Sequence, residues 1–476
     1  MISQTKTGSG KKLILDTLIY AVGDLGPRVF TFLLVPIYTA HLTKAEYGAY
    51  DFVMTVLQVL MPIIFMQMPG TIMRYIINEP YQNKRKAIST GLFFATAAII
   101  AAILVSYLSK LMFQWSIPFF LYILGMSVAT MYNNLLAQIL RGIDKVKLYS
   151  LVGVIGTLFS CVFSIVFVVY VQMSYAGIFF AAMLANALTS LIMFSFGGIY
   201  QYCSPANFDL ALLKKMLRYA APLIPNSICW WIINLSDRLI IIHFLGYDAN
   251  GIYAVANKLA QVITLGYGVF DKAWMVSAVS SYHSAQRDVF FTTVFHKLAS
   301  LLFLMVGGLV ILMKPIMSLW VAEAYFAAWQ YSAILVVAMV FHCFSTFYGV
   351  GYNCSKKTTL AFYTTIIAAV TNVVVNLLFV RMWGLYAAAV STLLAYAVLW
   401  FARLKSTAVF FNIKLDLQHL FINSGIIMIA LIINYLNQPF VWVISTILIC
   451  ALLYVNRHLL LETYQSGVKS FLRSVR

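Results

Sequence analysis

LILDTLIYAVGDLGPRVFTFLLVPIYTAH, running from Leu13 to His41, is an apolar stretch of 29 residues. A helix of about 20 residues crosses the hydrocarbon core of a bilayer, so this stretch alone is long enough to span a membrane. It is too long for the compact apolar core of a cleaved leader. Asp24, Pro27 and Arg28 interrupt its middle, and no small-residue cleavage site follows it. The segment is therefore expected to remain as a first membrane span that carries charge at depth.

The rest of the chain has the same character. Of its 476 residues 62% are hydrophobic and 10% charged, whereas a soluble domain carries about a quarter charged residues. A water-soluble fold could not hide so much apolar side chain. In lipid every backbone polar group must be paired internally, which leaves helices or a closed barrel. The apolar runs are about 20 residues long and do not alternate, so helices are expected rather than strands. The runs fall at residues 13–40, 47–68, 87–109, 117–140, 148–171, 175–200, 219–244, 251–272, 294–313, 330–352, 360–380, 384–404, 420–435 and 440–455. The expected fold class is all-α integral membrane, with about fourteen transmembrane helices and both termini on one side.

Basic residues orient this map. With the N-terminus in the cytoplasm, 24 of the 32 Lys and Arg residues fall in inside segments and 4 outside, namely Lys44, Lys110, Lys314 and Arg381. Cytoplasmic loops carry the excess of bases, so both termini are expected to be cytoplasmic. Arg403 falls in the inside set. The net charge of +18 is thereby read as membrane topology and not as a nucleic-acid surface. The basic tail from Tyr464 to Arg476 fits the anionic inner leaflet. Six cysteines and seven histidines are scattered without metal-ligand spacing, so neither metal nor cofactor is expected. Trp115, Trp320, Trp329, Trp383 and Trp442 lie near outer span ends and read as interface anchors.

The chain repeats itself loosely about 200 residues apart. His41 is followed by a short turn and Gly48-Ala49-Tyr50; His243 is followed by a short turn and Gly251-Ile252-Tyr253. Each copy links the first and second span of a six-span block. The implied plan is two parallel six-helix lobes, residues 1–205 and 206–412, followed by two further helices and the tail, residues 413–476. Two lobes around a cleft suit alternating access.

Ionisable groups within a membrane are functional candidates by default. Here they are Asp24 and Arg28 in the first span, Asp51 in the second, Asp237 and Arg238 in the seventh, and Lys258, Asp271 and Lys272 in the eighth. Those are the equivalent spans of the two lobes. Asp16, Tyr20, Asp24 and Arg28 step by four along one helix face. Pro27 should kink the first span, and Pro222 and Pro225 interrupt the start of the seventh. Asp237 and Arg238, adjacent in sequence, diverge by about 100° around their helix. Lys258 has Ala254, Val255, Gln261 and Val262 three and four residues away, so no acid on its own helix pairs with it. A ligand, or Asp51 or Asp237 from elsewhere, would have to satisfy it. Asp271 and Lys272, near the cytoplasmic boundary, read as gate or interface residues. Cations on a transport path would suit a phosphate or pyrophosphate, with arginine able to fork onto two oxygens.

Several short motifs resemble a known family. Leu33-Leu34-Val35-Pro36-Ile37-Tyr38-Thr39 followed by Tyr47-Gly48 is similar to the opening of the polysaccharide-transport (Wzx-type) flippases of the multidrug/oligosaccharidyl-lipid/polysaccharide superfamily. So are Ser236-Asp237-Arg238-Leu239-Ile240-Ile241, the run from Gly251 to Ala260, Asn372, Asn376-Leu377-Leu378 and the run from Gly384 to Thr392. Their order and spacing, over most of the chain, carry the resemblance. It implies the fold shared by the superfamily's multidrug antiporters and lipid II flippases. It also implies a bacterial cytoplasmic-membrane flippase that turns an undecaprenyl-pyrophosphate glycan from the inner to the outer leaflet, coupled to H+ or Na+. A polymerase of the same pathway would be a partner, beside membrane lipid. Under that resemblance Arg28, Arg238 and Lys258 are candidates to hold the anionic head group. Asp24, Asp51 and Asp237 are candidates for ion coupling, with Asp271 and Lys272 at a gate.

Three other readings compete. A multidrug antiporter of the superfamily would place acids rather than bases on the cleft and usually has twelve spans. A lipid II flippase shares the fourteen-span plan. A membrane glycosyltransferase, polymerase or ligase would carry a sizeable outer loop with clustered acid, His or Arg residues. All predicted outer loops are short here, so an enzyme is not expected.

Overall fold

The computed structural model describes residues 26, 29–113, 120–355, 357–436 and 441–458. Among these residues there is no strand. The helices are α1 (Val29–His41), α2 (Lys44–Ile64), α3 (Met68–Ile76), α4 (Tyr81–Phe113), α5 (Phe120–Gly142), α6 (Val146–Ser164, continued as a π-helix over Ile165–Tyr170), α7 (Ser174–Phe196) and α8 (Leu210–Ala220). They continue with α9 (Leu223–Ser281), α10 (Arg287–Ile311), α11 (Met313–Trp320), α12 (Ala328–Cys354), α13 (Thr358–Trp383), α14 (Leu385–Thr407), α15 (Leu417–Leu436) and α16 (Val441–Val455). Eleven of them are long and apolar enough to cross a membrane, and α1 and α16 are shorter apolar helices. The chain is a multi-pass membrane protein. Asp24, Arg28 and Trp115 lie outside the described residues.

A straight helix of 59 residues would run about 88 Å, nearly three bilayer cores. Helix α9, of that length, cannot be one span, and it bends at Gly246, where φ is +84° and ψ is 177°. Only glycine takes that backbone conformation without strain. The seventh and eighth predicted spans are thus the two arms of this bent helix. The second predicted span departs from expectation in the other direction. Helix α2 stops at Ile64, after Pro62, and the chain turns through Met66 and Gln67, both with positive φ. Helix α3 then restarts with Pro69 in its first turn.

By internal packing the chain divides into two units, up to Leu239 and from Ile240 onward. In the first, Phe65, Met68 and Ile72 are buried in one cluster with Ile88 of α4 and Met131, Leu135 and Ile139 of α5. In the second, Trp274 stacks on Phe347 with centroids 4.3 Å apart and planes 8° from parallel. There too the motif residues come together. The Tyr253 hydroxyl donates to the Ala388 carbonyl at 3.3 Å, and the Asn372 amide donates to Ser391 at 3.2 Å and Thr392 at 3.4 Å. Short apolar motifs far apart in sequence therefore form one polar seam among α9, α13 and α14.

Two predicted interface anchors turn out otherwise. Trp320 and Trp329 are buried, and the Lys314 ammonium sits 4.6 Å from the Trp329 ring centroid. Helix α11 folds the expected outer loop against the protein and covers them. Trp383 and Trp442 are exposed, as an anchor must be.

Candidate functional site

The charged group that the sequence singled out in the first unit is built on α2 and the first arm of α9. Thr43 starts α2 with a reciprocal cap. The Glu46 amide donates to the Thr43 hydroxyl at 3.3 Å, and the Thr43 amide donates to the Glu46 carboxylate at 2.8 Å. The Ser174 hydroxyl at the start of α7 also donates to Glu46. This fixes the start of α2. Tyr47, Asp51 and Thr55 then step by four along one face, and all three are buried. The apolar partners Val53 and Leu57 are buried with Phe179 of α7.

Arg238 meets that face. Its Nε donates to Asp51 Oδ2 at 3.1 Å, and its Nη1 donates to the Asn234 carbonyl one turn earlier at 3.4 Å. Arg238 is 4% exposed and Asp51 8%. Both charges are therefore held away from water, where each must be neutralised by a partner. A head-group candidate and an ion-coupling candidate, 187 residues apart, form one ion pair. Asp237 is buried beside Arg238 in the sequence, on a helix direction about 100° away.

The remaining candidates lie in the second unit. Lys258 is half-buried on the second arm of α9, next to Asn257, whose amide donates to the Tyr253 carbonyl at 3.2 Å. Asp271 is half-buried and accepts a hydrogen bond from the Tyr267 hydroxyl at 3.3 Å. Lys272 is exposed.

Arg403 needs a correction. The topology count put it among cytoplasmic loop bases, but it lies inside α14 and is 4% exposed. Its Nη1 donates to the Ser345 carbonyl of α12 at 2.9 Å, and its Nη2 to the Thr365 hydroxyl of α13 at 3.4 Å. Its guanidinium carbon is 5.9 Å from the Tyr352 ring centroid. Gly349 makes the room: a Cβ there would stand 2.9 Å from Arg403 Nη1. The signal was present in the sequence. Ala395, Leu399, Arg403 and Thr407 step by four, and all are buried, so the arginine continues the inner face of its helix.

Residues 13–275 match the family model described as polysaccharide biosynthesis protein, which is more than half of the chain. The chain belongs to this family. A Haemophilus influenzae protein of the Lsg locus is 23% identical over 334 residues, covering 68% of this chain and 80% of that protein. Among solved structures, the lipid II flippase MurJ in an inward closed conformation superposes with a TM-score of 0.70 at 14% identity, covering 96% of this chain and all of that one. An inward-facing multidrug resistance MATE transporter of the MOP superfamily gives 0.66 at 15% identity, covering 82% and 93%. The family member thus shares the fold of these two solved structures, which are described as a lipid II flippase and a multidrug resistance transporter.

Proposed function

We propose that this family member carries an undecaprenyl-pyrophosphate-linked oligosaccharide from the inner to the outer leaflet of the bacterial cytoplasmic membrane. The cargo would serve surface polysaccharide synthesis: O-antigen, capsule or exopolysaccharide. The observation that carries the reading is the buried Arg238–Asp51 pair within the membrane-embedded part of a polysaccharide biosynthesis protein. Arginine retains its charge at any accessible pH and forks onto phosphate oxygens. Protonation of Asp51, or a cation on it, would release Arg238 to the pyrophosphate. Reversal would return the carrier to its paired state. One pair would thus link head-group binding to H+ or Na+.

In this scheme Arg28 and Lys258 complete the contacts to the head group, Asp24 and Asp237 share the coupling role, and Asp271 and Lys272 serve a gate. Lobes 1–205 and 206–412 would exchange access, with 413–476 appended and both termini in the cytoplasm. The delivered glycan would pass to a polymerase of the same pathway.

The test is reconstitution in proteoliposomes with a lipid-linked oligosaccharide, scored by accessibility of the glycan to an external enzyme. Wild type is expected to flip it, while Arg238→Ala and Lys258→Ala insert normally and lose most of the activity. Equal activity in all three would remove these residues from the head-group site. Flipping of lipid II in preference to the oligosaccharide would redirect the assignment of cargo.

A further inference from the structure

The first unit holds a cavity of about 400 Å³ among α1, α5, α6 and α7, within the 300–1,000 Å³ range typical of ligand pockets. Its described lining mixes apolar side chains such as Phe30, Leu34, Val152 and Met193 with the uncharged polar groups of Asn133, Asn134, Asn186, Thr157 and Ser160, and holds no Asp, Glu, Lys or Arg. Amide and hydroxyl groups at membrane depth most simply act as glue between helices. Part of this set does that. The Asn133 amide donates to Thr189 at 2.7 Å and the Asn186 amide to Thr130 at 3.5 Å, both between α5 and α7, while the Thr157 hydroxyl donates to the Gly153 carbonyl of its own helix at 2.8 Å. Asn134 and Ser160 do not. Neither side chain hydrogen-bonds to any described residue, and Asn134 is exposed. The Asn133 and Asn186 amides spend their NH2 groups on the helices, and their side-chain oxygens accept no hydrogen bond from a described residue.

The chemistry narrows the occupant. Among the described lining residues a phosphate would meet no cation and a cationic drug no acid. An apolar chain would strip water from the asparagines without returning a hydrogen bond. Carboxamides offer donors and acceptors side by side, as do the neighbouring hydroxyl and acetamido groups of a sugar. We infer that this cavity is a glycan subsite, which takes a neutral sugar of the cargo through Asn134, Ser160 and the free carbonyls of Asn133 and Asn186. The inference rests on the proposed flippase reading and adds to it a sugar site separate from the Arg238–Asp51 pair.

The test measures binding to purified protein in nanodiscs with two probes. One is the lipid-linked oligosaccharide fraction extracted from cells lacking this protein; the other is sugar-free undecaprenyl pyrophosphate. The variants are Asn134→Leu and Ser160→Val, singly and together, with thermal melting as the folding control. Melting is expected to hold, because neither side chain bonds to the fold. The double variant is expected to bind the sugar-bearing lipid about tenfold more weakly, as losing two modest hydrogen bonds implies, with the sugar-free lipid unaffected. Ser160→Val alone gives the same pattern, more weakly, should Asn134→Leu lower the melting temperature. Unchanged affinity for both lipids, or equal loss for both, would mean that the cavity holds only water and would overturn the subsite while leaving the flippase reading intact. Failure of wild type to bind either lipid would overturn both.

Discussion

Removing either member of the Arg238–Asp51 pair should cost more than losing an ordinary contact between membrane helices. Interhelical hydrogen bonds in membranes couple by about 0.6 kcal/mol on average and about 1.7 at most. Breaking a buried ion pair by deleting one partner costs about 3–5 kcal/mol, because the other charge is left desolvated. The geometry decides which regime applies. The contact is 3.1 Å and joins two ionised groups that are 4% and 8% exposed. Arg238→Gln takes the cation from a buried carboxylate, Asp51→Asn takes a carboxylate from a buried guanidinium that keeps its bond to the Asn234 carbonyl, and the double variant leaves two amides able to bond to each other. Each single change is therefore expected to lower stability by about 3 kcal/mol or more, roughly a 150-fold shift in the unfolding equilibrium. The double variant should recover most of that loss, with a coupling energy above about 1.7 kcal/mol. Equilibrium unfolding by SDS in mixed micelles, run on all four proteins, measures the cycle. Single changes that cost less than about 0.6 kcal/mol each and simply add would show that the pair is solvated or transient, and the charge-exchange scheme would fall with it.

Other perturbations follow from named contacts. Gly349→Ala should push the Arg403 guanidinium off the Ser345 carbonyl and cost about 1–3 kcal/mol; the same denaturation assay reads it, and a neutral result would mean that the α12–α14 packing yields freely. Gly246→Ala forces a side chain into φ +84° at the bend of α9 and should cost about 1–3 kcal/mol, with a lowered melting temperature expected. Asn456 donates to Asn423 at 2.8 Å and contacts His419 at 2.9 Å; Asn456→Ala should loosen α15 and speed amide exchange over residues 417–436 about tenfold, whereas unchanged exchange would assign no fastening role to this cluster. Single cysteines at Lys84 and Lys214 should react with a membrane-impermeant maleimide only from the cytoplasmic side, and at Lys44 and Arg381 only from outside. The reverse pattern would invert the proposed orientation.

Much of the fold was legible because hydropathy and helix length are local properties. Runs of about 20 residues led to an expectation of about fourteen spans, and eleven helices among the described residues are long and apolar enough to be such spans. What hydropathy does not encode is how a span ends. Helix α2 stops three residues before a proline-headed restart, and only the positive φ at Met66 and Gln67 reveals the break. The bend at Gly246 was foreshadowed by the turn between two predicted spans, but not the continuation of helix on both sides of it. Trp320 and Trp329 were misread for a related reason. A tryptophan near the end of a span is equally consistent with lipid contact and with a folded loop above it, and the choice depended on α11.

The candidate site was legible residue by residue but not pair by pair. Charge at membrane depth marked Asp51 and Arg238 individually, whereas their pairing spans 187 residues and is a property of tertiary structure alone. Arg403 shows where counting fails. Positive-inside statistics treat a base near the end of an apolar run as a loop residue, because most such bases are. Helical phase says otherwise. Four-residue spacing places Arg403 on the buried line through Ala395, Leu399 and Thr407, and a glycine on the facing helix leaves it space. Where the two signals conflict, phase should win. A charge on the inner face must find polar partners across the bundle, as Arg403 does in the Ser345 carbonyl and the Thr365 hydroxyl, while a charge on the outer face can reach water by extending its side chain. Applied to Lys258, half-buried beside a line of fully buried neighbours, the same criterion assigns it to the rim of the inner face.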